Sequence, residues 1–134
     1  MEKWIAGVIG STGFLVSFIV DGVGIAVAIL IAVMAIDYAT GLISAYINRE
    51  LSSRKGTTGF LKKLYVLLLI GTVYLIEKLI LDSEHLGDGV AFAYIAIEFI
   101  SITENGVKMG APMPPYVKNL LDMVKGKTNG GDKS

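Results

Sequence analysis

The feature of this sequence that most constrains its fold is a long apolar segment, residues 23–47, in which Asp37 is the only charge. A helix needs about 20 residues to cross a hydrocarbon core of roughly 30 Å. This segment exceeds that length and can tilt. Three more apolar segments accompany it, at residues 4–20, 60–81 and 90–109. We therefore predict an all-α integral membrane protein with four transmembrane helices.

The composition also favours a membrane protein over a soluble domain. Of the 134 residues, 53% are hydrophobic and 18% are charged, whereas a soluble domain carries about 25% charged residues. The formal net charge is zero, so nothing in the charge balance indicates a nucleic-acid partner, and we predict none.

Residue patterns typical of catalysis or of metal binding are absent from the sequence. It has no cysteine and a single histidine, His85, so ligand sets built on thiolates or on two histidines are excluded. No glycine-rich phosphate loop and no serine–histidine pairing is present. We therefore predict that the protein is not an enzyme and has no catalytic residues, no metal site and no cofactor.

The first segment, residues 4–20, is rich in small residues. The pairs Gly7 with Ser11 and Gly13 with Ser17 have the spacing of helices that pack closely in lipid. Glycine also weakens a helix. Three spanning helices are therefore the alternative to four, with this segment lying at the membrane interface.

The third and fourth segments are long enough to cross the membrane only if they include charged residues. The third, residues 60–81, fits once Lys62 and Lys63 extend their ammonium groups to the interface. The fourth, residues 90–109, must carry Glu98 into the membrane, because its charge-free part is too short to span. We therefore expect neighbouring helices to cover the fourth helix.

The distribution of basic residues predicts how the helices are oriented. The connection 82–88 is acidic and has no lysine or arginine, whereas the loop between the second and third helices is basic. The positive-inside rule then places this loop and the C-terminus in the cytoplasm. The basic residues of the loop are Arg49, Arg54, Lys55, Lys62 and Lys63.

The chain after the fourth helix is predicted to form one short helix. Glycine and prolines in residues 110–115 end the fourth helix. Over residues 116–125, apolar residues at helical spacing predict an amphipathic helix on the cytoplasmic membrane surface or on a neighbouring subunit. These residues are Val117, Leu120, Leu121 and Val124. Residues 1–125 then form one transmembrane domain, and the polar residues 126–134 are predicted to be disordered.

Four carboxylates fall inside the predicted spans: Asp37, Glu77, Glu98 and Glu104. A charge near the bilayer centre costs about 2.5 to 3.5 kcal/mol, so such groups usually face protein or water. Glu77 precedes Lys78 near the outer end of the third helix, and we expect both side chains to extend to the headgroups.

Asp37 lies on a polar face of the second helix together with Gly41 and Ser44. This face serves either in assembly and pore lining or, through Asp37 alone, as a structural hydrogen bond to a neighbouring helix. The opposite face consists of small residues and predicts close packing against another helix. The helix-packing residues are Ala28, Ala32, Ala35 and Ala39.

Glu98 shares a face of the fourth helix with Ser101 and Asn105, and Glu104 lies beside them. These side chains are able to hydrogen-bond to one another and to backbone carbonyls. The face is therefore either a structural polar network or a second candidate surface for assembly and pore lining.

Four short motifs follow one another along the chain. They are Asp37–Gly41 (DYATG), Leu51–Lys63 (LSSRKG, then GFLKK), Glu98–Asn105 (EFISITEN) and Gly110–Pro114 (GAPMP). Their order and spacing resemble those of the toxin-secretion/phage-lysis holin family over residues 23–121. Ile97 departs from the family pattern, because members commonly have asparagine before the glutamate.

The resemblance implies a phage-encoded, multi-pass protein of the bacterial inner membrane. Such proteins form homo-oligomers in the lipid bilayer and open large lesions at a set time. An endolysin then escapes, as a functional partner that need not contact the lesion, and the host cell lyses. Some relatives export large toxins instead. The family has no cofactor and no catalytic residues.

Two other functions remain open on the sequence. One is a small oligomeric ion channel or transporter that uses the intramembrane carboxylates as an ion or proton path. The other is a non-conducting scaffold whose basic loop recruits a cytoplasmic partner. Passage of a folded reporter enzyme would distinguish a holin from both.

Overall fold

The computed structural model describes residues 2–82 and 85–126, and within these residues the chain is helical and has no strand. The helices are α1 (Glu2–Val23), α2 (Ile25–Ile47), α3 (Ser53–Ile76), which continues as a π-helical turn (Glu77–Leu81), α4 (Leu86–Lys108) and α5 (Pro115–Val124). The predicted all-α class is confirmed for this part of the chain. The predicted polar tail lies outside the described residues, apart from Gly126.

Three helices are long and apolar enough to cross a membrane. They are α2, the continuous helix formed by α3 and its π-helical turn, and α4. α1 is a helix of 22 residues, but it is not among these candidate spans, so the fourth span remains a prediction. A short helix does follow α4 at Pro115–Val124, and its predicted position on a membrane surface or a neighbouring subunit also remains a prediction.

The core lies where α2, α3 and α4 meet, and the most extensive contact is between α2 and α4. Leu30 of α2 is fully buried, and Ile70 of α3 and Ala91 of α4 are 1% and 0% exposed. The small side chain of Ala91 lets the backbones of α2 and α4 approach closely, which is typical of helix packing in lipid.

The outer surface of this bundle is apolar. Ile29, Ile36 and Ile43 follow one another at seven-residue spacing on α2, and they are 42%, 51% and 51% exposed. Soluble monomers rarely expose contiguous apolar patches of this kind. The exposed rows are therefore suited to contact with lipid tails.

The predicted alanine face of α2 is largely unused by packing within the chain. Ala28 is half-buried, whereas Ala32, Ala35 and Ala39 are exposed. The face therefore remains available for close contact with another helix, and its role in helix packing stays a prediction.

α1 leads away from the bundle. The side chains described for residues 2–17 are exposed, and Trp4 and Ile9 are 81% and 66% exposed. Between α1 and α2 the backbone of Gly24 has a φ of 95°, a conformation that glycine adopts without the steric cost of a Cβ. Gly24 therefore separates two helices that would otherwise run on as one.

α3 begins at Ser53, earlier than the predicted start at residue 60, because Ser52 caps it. The hydroxyl of Ser52 accepts a hydrogen bond from the backbone N–H of Lys55 at 3.2 Å. Gly56 suggests a turn in the sequence but lies within α3. There it packs against Tyr38 of α2, whose hydroxyl donates a hydrogen bond to the Gly56 carbonyl at 3.2 Å. As a result, four of the five basic residues assigned to the loop lie in α3, namely Arg54, Lys55, Lys62 and Lys63.

The junction between α3 and α4 is stabilised by Glu77, and the prediction that Glu77 extends to the headgroups is wrong. Glu77 is 3% exposed, and its carboxylate accepts hydrogen bonds from the backbone N–H groups of Leu86 at 2.6 Å and Gly87 at 2.9 Å. Both donors belong to the first turn of α4, where backbone N–H groups have no acceptor within the helix. The hydroxyl of Tyr74 also donates to Asp88.

The close approach of Tyr74 to Gly87 generates a prediction about stability. A Cβ at Gly87 would lie 2.5 Å from two carbons of the Tyr74 ring. We expect Gly87→Ala to lower the free energy of unfolding by about 1–3 kcal/mol through overpacking. The matched control is Gly89→Ala, also in α4, where a Cβ meets no heavy atom within 4 Å. Unfolding in mixed detergent micelles measures both, and equal stabilities would contradict the prediction.

Candidate functional site

Three charged side chains from three helices meet in the interior of the bundle. The Nζ of Lys63 in α3 lies 2.7 Å from Oδ2 of Asp37 in α2 and 2.5 Å from Oε2 of Glu98 in α4. The three side chains are 18%, 11% and 9% exposed, respectively. We call Asp37, Lys63 and Glu98 the charge cluster.

The positions of the charge cluster follow from the helical register of the apolar core. Asp37 follows the buried Leu30 by seven positions, and Glu98 follows the buried Ala91 by seven positions. In α3, which runs in the opposite direction, Lys63 precedes the buried Ile70 by seven positions. Residues seven apart lie on one helix face, so each charge continues the buried face of its own helix.

Lys63 was expected to extend its ammonium group to the membrane interface, and that expectation is wrong. Its side chain points between α2 and α4, because two carboxylates there provide acceptors that lipid cannot offer. Lys62, the next residue along α3, is exposed. The two lysines lie on different faces of α3, and they do not differ in their depth in the membrane.

The charge cluster has two carboxylates for one ammonium group. Within the described residues, no buried side-chain nitrogen or oxygen is left without a hydrogen-bond partner. Removing ions from water carries a large desolvation cost, and loss of a single partner leaves a buried charge uncompensated. The three helices are therefore held together by an interaction that depends on all three side chains.

Asn105 of α4 extends this network toward the end of the bundle. Its amide nitrogen lies 2.8 Å from Oδ1 of Asp37, 3.2 Å from the Asp37 carbonyl and 3.0 Å from Oγ1 of Thr40. Gly41 packs beside the same amide, where a Cβ would lie at 3.5 Å. Asp37 thus joins α2 to both of its neighbours, to α3 through Lys63 and to α4 through Asn105.

A polar cleft of about 270 Å³ opens beside the charge cluster. Five of the predicted assembly or pore-lining residues lie around it: Asp37, Gly41, Ser44, Ser101 and Asn105. Lys63 lines it as well, and Lys55 and Lys108 lie at the same end of the bundle. The cleft therefore leads from the basic end of the helices to Asp37 and Lys63.

The remaining predicted site residues lie on the surface. Glu104 is exposed, and its Oε1 lies 3.7 Å from Nζ of Lys125, the residue after α5, so Glu104 is separate from the charge cluster. Lys55, at the rim of the cleft, pairs with Glu50 at 3.6 Å. Arg49, Arg54 and Lys62 are exposed.

Sequence reasoning missed that Lys63 is the partner of both buried carboxylates. The available signal was its seven-residue distance from Ile70, which places it on the face that α3 turns to the core. That signal becomes readable only when the buried residues of α3 are known.

Comparison with known proteins gives one family. A model of the bacteriophage holin family matches residues 14–126. Among curated relatives, an uncharacterized protein of Halalkalibacterium halodurans is 31% identical over 92% of this chain and 93% of its own length. An uncharacterized protein of Listeria monocytogenes is 33% identical over 91% and 86%, and an uncharacterized 14.9 kDa protein of Clostridium perfringens is 30% identical over 93% of both chains. No solved structure matches the chain.

The charge cluster generates a prediction about Lys63. We expect Lys63→Met to lower the free energy of unfolding by about 3–5 kcal/mol, because it leaves two carboxylates together without a counter-charge. Lys62→Met is the matched control, since Lys62 is exposed on the same turn, and it should change stability little. Unfolding in mixed detergent micelles measures both variants.

A triple variant separates the loss of charge balance from the loss of packing. Replacing Asp37, Lys63 and Glu98 together with Leu, Met and Met removes the buried ions, and we expect it to recover most of the stability lost in Lys63→Met. If Lys63→Met is as stable as Lys62→Met, the charge cluster does not hold the helices together.

Proposed function

Because this chain belongs to the bacteriophage holin family, we propose that it oligomerises in a bacterial cytoplasmic membrane and opens lesions that release an endolysin, so that the host cell lyses. The observation that carries the proposal is the extent of the family match, residues 14–126. That range includes all three candidate spans and α5. A large toxin is the alternative cargo of such a lesion.

The surfaces of the bundle support assembly with further copies. Its exterior is apolar, and the exposed alanines of α2 offer a face on which another helix can pack closely. α1 also leaves most of its surface uncovered by the chain. Contacts between copies in the membrane would bury these surfaces, and the charge cluster need not change for that first step.

The charge cluster supports a second step in which the helices separate. In the single chain, Lys63 donates hydrogen bonds to the carboxylates of α2 and α4, so these side chains have partners without water. In an assembly whose wall is wet, water would satisfy the same side chains. The polar side chains then have hydrogen-bond partners both in the single bundle and in the wet assembly. Two such states allow a delayed and abrupt transition, since small differences in free energy decide their populations.

In this proposal the wet wall is formed by the polar faces of α2 and α4. Its residues are Asp37, Gly41, Ser44, Glu98, Ser101 and Asn105, with Glu104 at its margin. The polar cleft supports this assignment, because five of these residues line it.

The orientation proposed from the sequence also has support in the bundle. Arg49, Lys55 and Lys108 lie at the end where the polar cleft opens, whereas Asp82 and Asp88 lie at the opposite end. An excess of basic residues marks the cytoplasmic side of short membrane proteins. The C-terminus would then be cytoplasmic.

A small oligomeric ion channel or transporter is the second candidate. The observation that favours it is the polar cleft itself, which leads to ionisable groups inside a candidate span. A channel of that kind would pass ions but not a folded protein.

Expression in a bacterial host tests the proposed function. We expect abrupt lysis when the chain is induced together with an endolysin that lacks its own export signal, and no lysis when either is induced alone. A folded cytoplasmic reporter enzyme should leave the cytoplasm at the same moment. Depolarisation without release of the reporter would favour the channel, and continued growth with an intact membrane would contradict both.

The timing of lysis tests the part assigned to the charge cluster. We expect Asp37→Leu and Glu98→Leu to advance the onset of lysis, because each removes a carboxylate that joins two helices through Lys63. The control is Asp82→Asn, an exposed acid in the α3–α4 connection. Immunoblots of membranes must show equal amounts of each variant. Lysis on the normal schedule by both leucine variants would contradict this role.

A further inference from the structure

α5 has two apolar faces, and the rest of the chain covers only one. Leu121 is 9% exposed and Val117 is half-buried, on the side where α5 contacts α4. A second set of apolar side chains is exposed. It consists of Tyr116 at 84%, Leu120 at 48%, Met123 at 73% and Val124 at 40%.

The exposed set forms a continuous face. Positions 116, 120, 123 and 124 are spaced by four, seven and eight residues, which brings them to one side of a helix. Lys118, Asp122 and Lys125 occupy the other side, whereas Asn119 precedes Met123 by four positions and lies at the border of the exposed face. At roughly 100° per residue, the exposed apolar face adjoins the buried one and lies opposite the two lysines.

α5 is held close to the end of a candidate span. α4 ends at Lys108, and only residues 109–114 separate it from the start of α5. The packing of Leu121 and the ion pair between Lys125 and Glu104 at 3.7 Å join α5 to the last turns of α4. If α4 crosses the membrane, α5 therefore lies at the level where the hydrocarbon core gives way to headgroups.

We propose that the face formed by Tyr116, Leu120, Met123 and Val124 inserts into the headgroup region of the membrane, with Lys118 and Lys125 at the level of anionic lipid phosphates. Tyrosine is enriched at this depth because its ring is apolar and its hydroxyl is polar. A helix with one apolar side and lysines on the other binds an anionic interface in this way. The proposal rests on α4 spanning the membrane and not on the opening of lesions.

A membrane surface fits this face better than a second copy of the chain. Stable protein interfaces bury about 1,200 Å² or more, and four side chains of one short helix provide far less. Lys118 and Lys125 lie on the side of α5 opposite this face, where a second copy docked on the face would leave them unused, whereas anionic phospholipids would attract them.

The full-length chain can be tested directly because it contains no cysteine. Met123→Cys and the control Asp122→Cys, on the polar side of α5, each accept a single spin label, and the labelled proteins are reconstituted in vesicles of phosphatidylcholine with phosphatidylglycerol. We expect the label at 123 to collide several-fold more with oxygen than with a water-soluble nickel chelate, and the label at 122 to show the reverse. Vesicles of phosphatidylcholine alone, or the added change Lys118→Gln, should make the label at 123 shallower.

Two results would overturn the proposal. Equal exposure to the nickel chelate at 123 and 122 would place the face in water. Protection from both reagents at 123, together with dipolar broadening between labels, would place it against a second copy. Helix content measured by circular dichroism must match the unlabelled chain, which excludes unfolding as the cause. A failure here leaves the lysis experiment unaffected, since that experiment measures release from cells.

Discussion

A lysine ammonium group shared between two carboxylates organises the interior of this protein. Lys63 bonds to Asp37 on one side and to Glu98 on the other, and each of the three residues comes from a different helix. In lipid there is little hydrophobic force to bring helices together, so packing and polar contacts must do so. The charge cluster lies on the same faces of α2, α3 and α4 as the apolar core, so its ion pairs and the core packing favour the same alignment of the helices.

The opposite end of the bundle uses a carboxylate in another way. Within the part of the chain that the structure describes, Glu77 pairs with no cation, and its oxygens accept hydrogen bonds from the free backbone N–H groups at the start of α4. A helix N-terminus carries partial positive charge, which stabilises such an anion. α4 is thus connected to α3 by a backbone cap at its start and by an ion pair near its middle, and the hairpin they form is stabilised at both places.

Hydrophobic length and helical periodicity predict much of this architecture. The second predicted span ends at Ile47, as α2 does. A long apolar segment in lipid must satisfy its backbone hydrogen bonds within itself, and a helix does so. The faces of Asp37 and of Glu98 with Asn105 are also readable from spacing, and the structure brings them together. What spacing cannot supply is the partner across the helix interface. The predictions that Lys63 and Glu77 extend to the membrane interface rest on their depth in the membrane alone. The early start of α3 is not predicted from the sequence, because Gly56 suggests a turn unless Tyr38 is known to pack on it. The resemblance to holins agrees with the family match, which depends on the whole pattern and not on any one contact.

The charge cluster also bears on how the chain enters a membrane during synthesis. Asp37 emerges from the ribosome 26 residues before Lys63, and Lys63 emerges 35 residues before Glu98. A lone carboxylate delivered to the bilayer centre costs about 2.5 to 3.5 kcal/mol. Insertion of α2 and α3 as a hairpin would cancel the charge of Asp37 against that of Lys63 before either helix is left alone in lipid. Glu98 would then arrive on α4 at a site where the Lys63 ammonium group, already paired with Asp37, still has a hydrogen-bond donor to share, so the order of the three residues along the chain suits their order of entry.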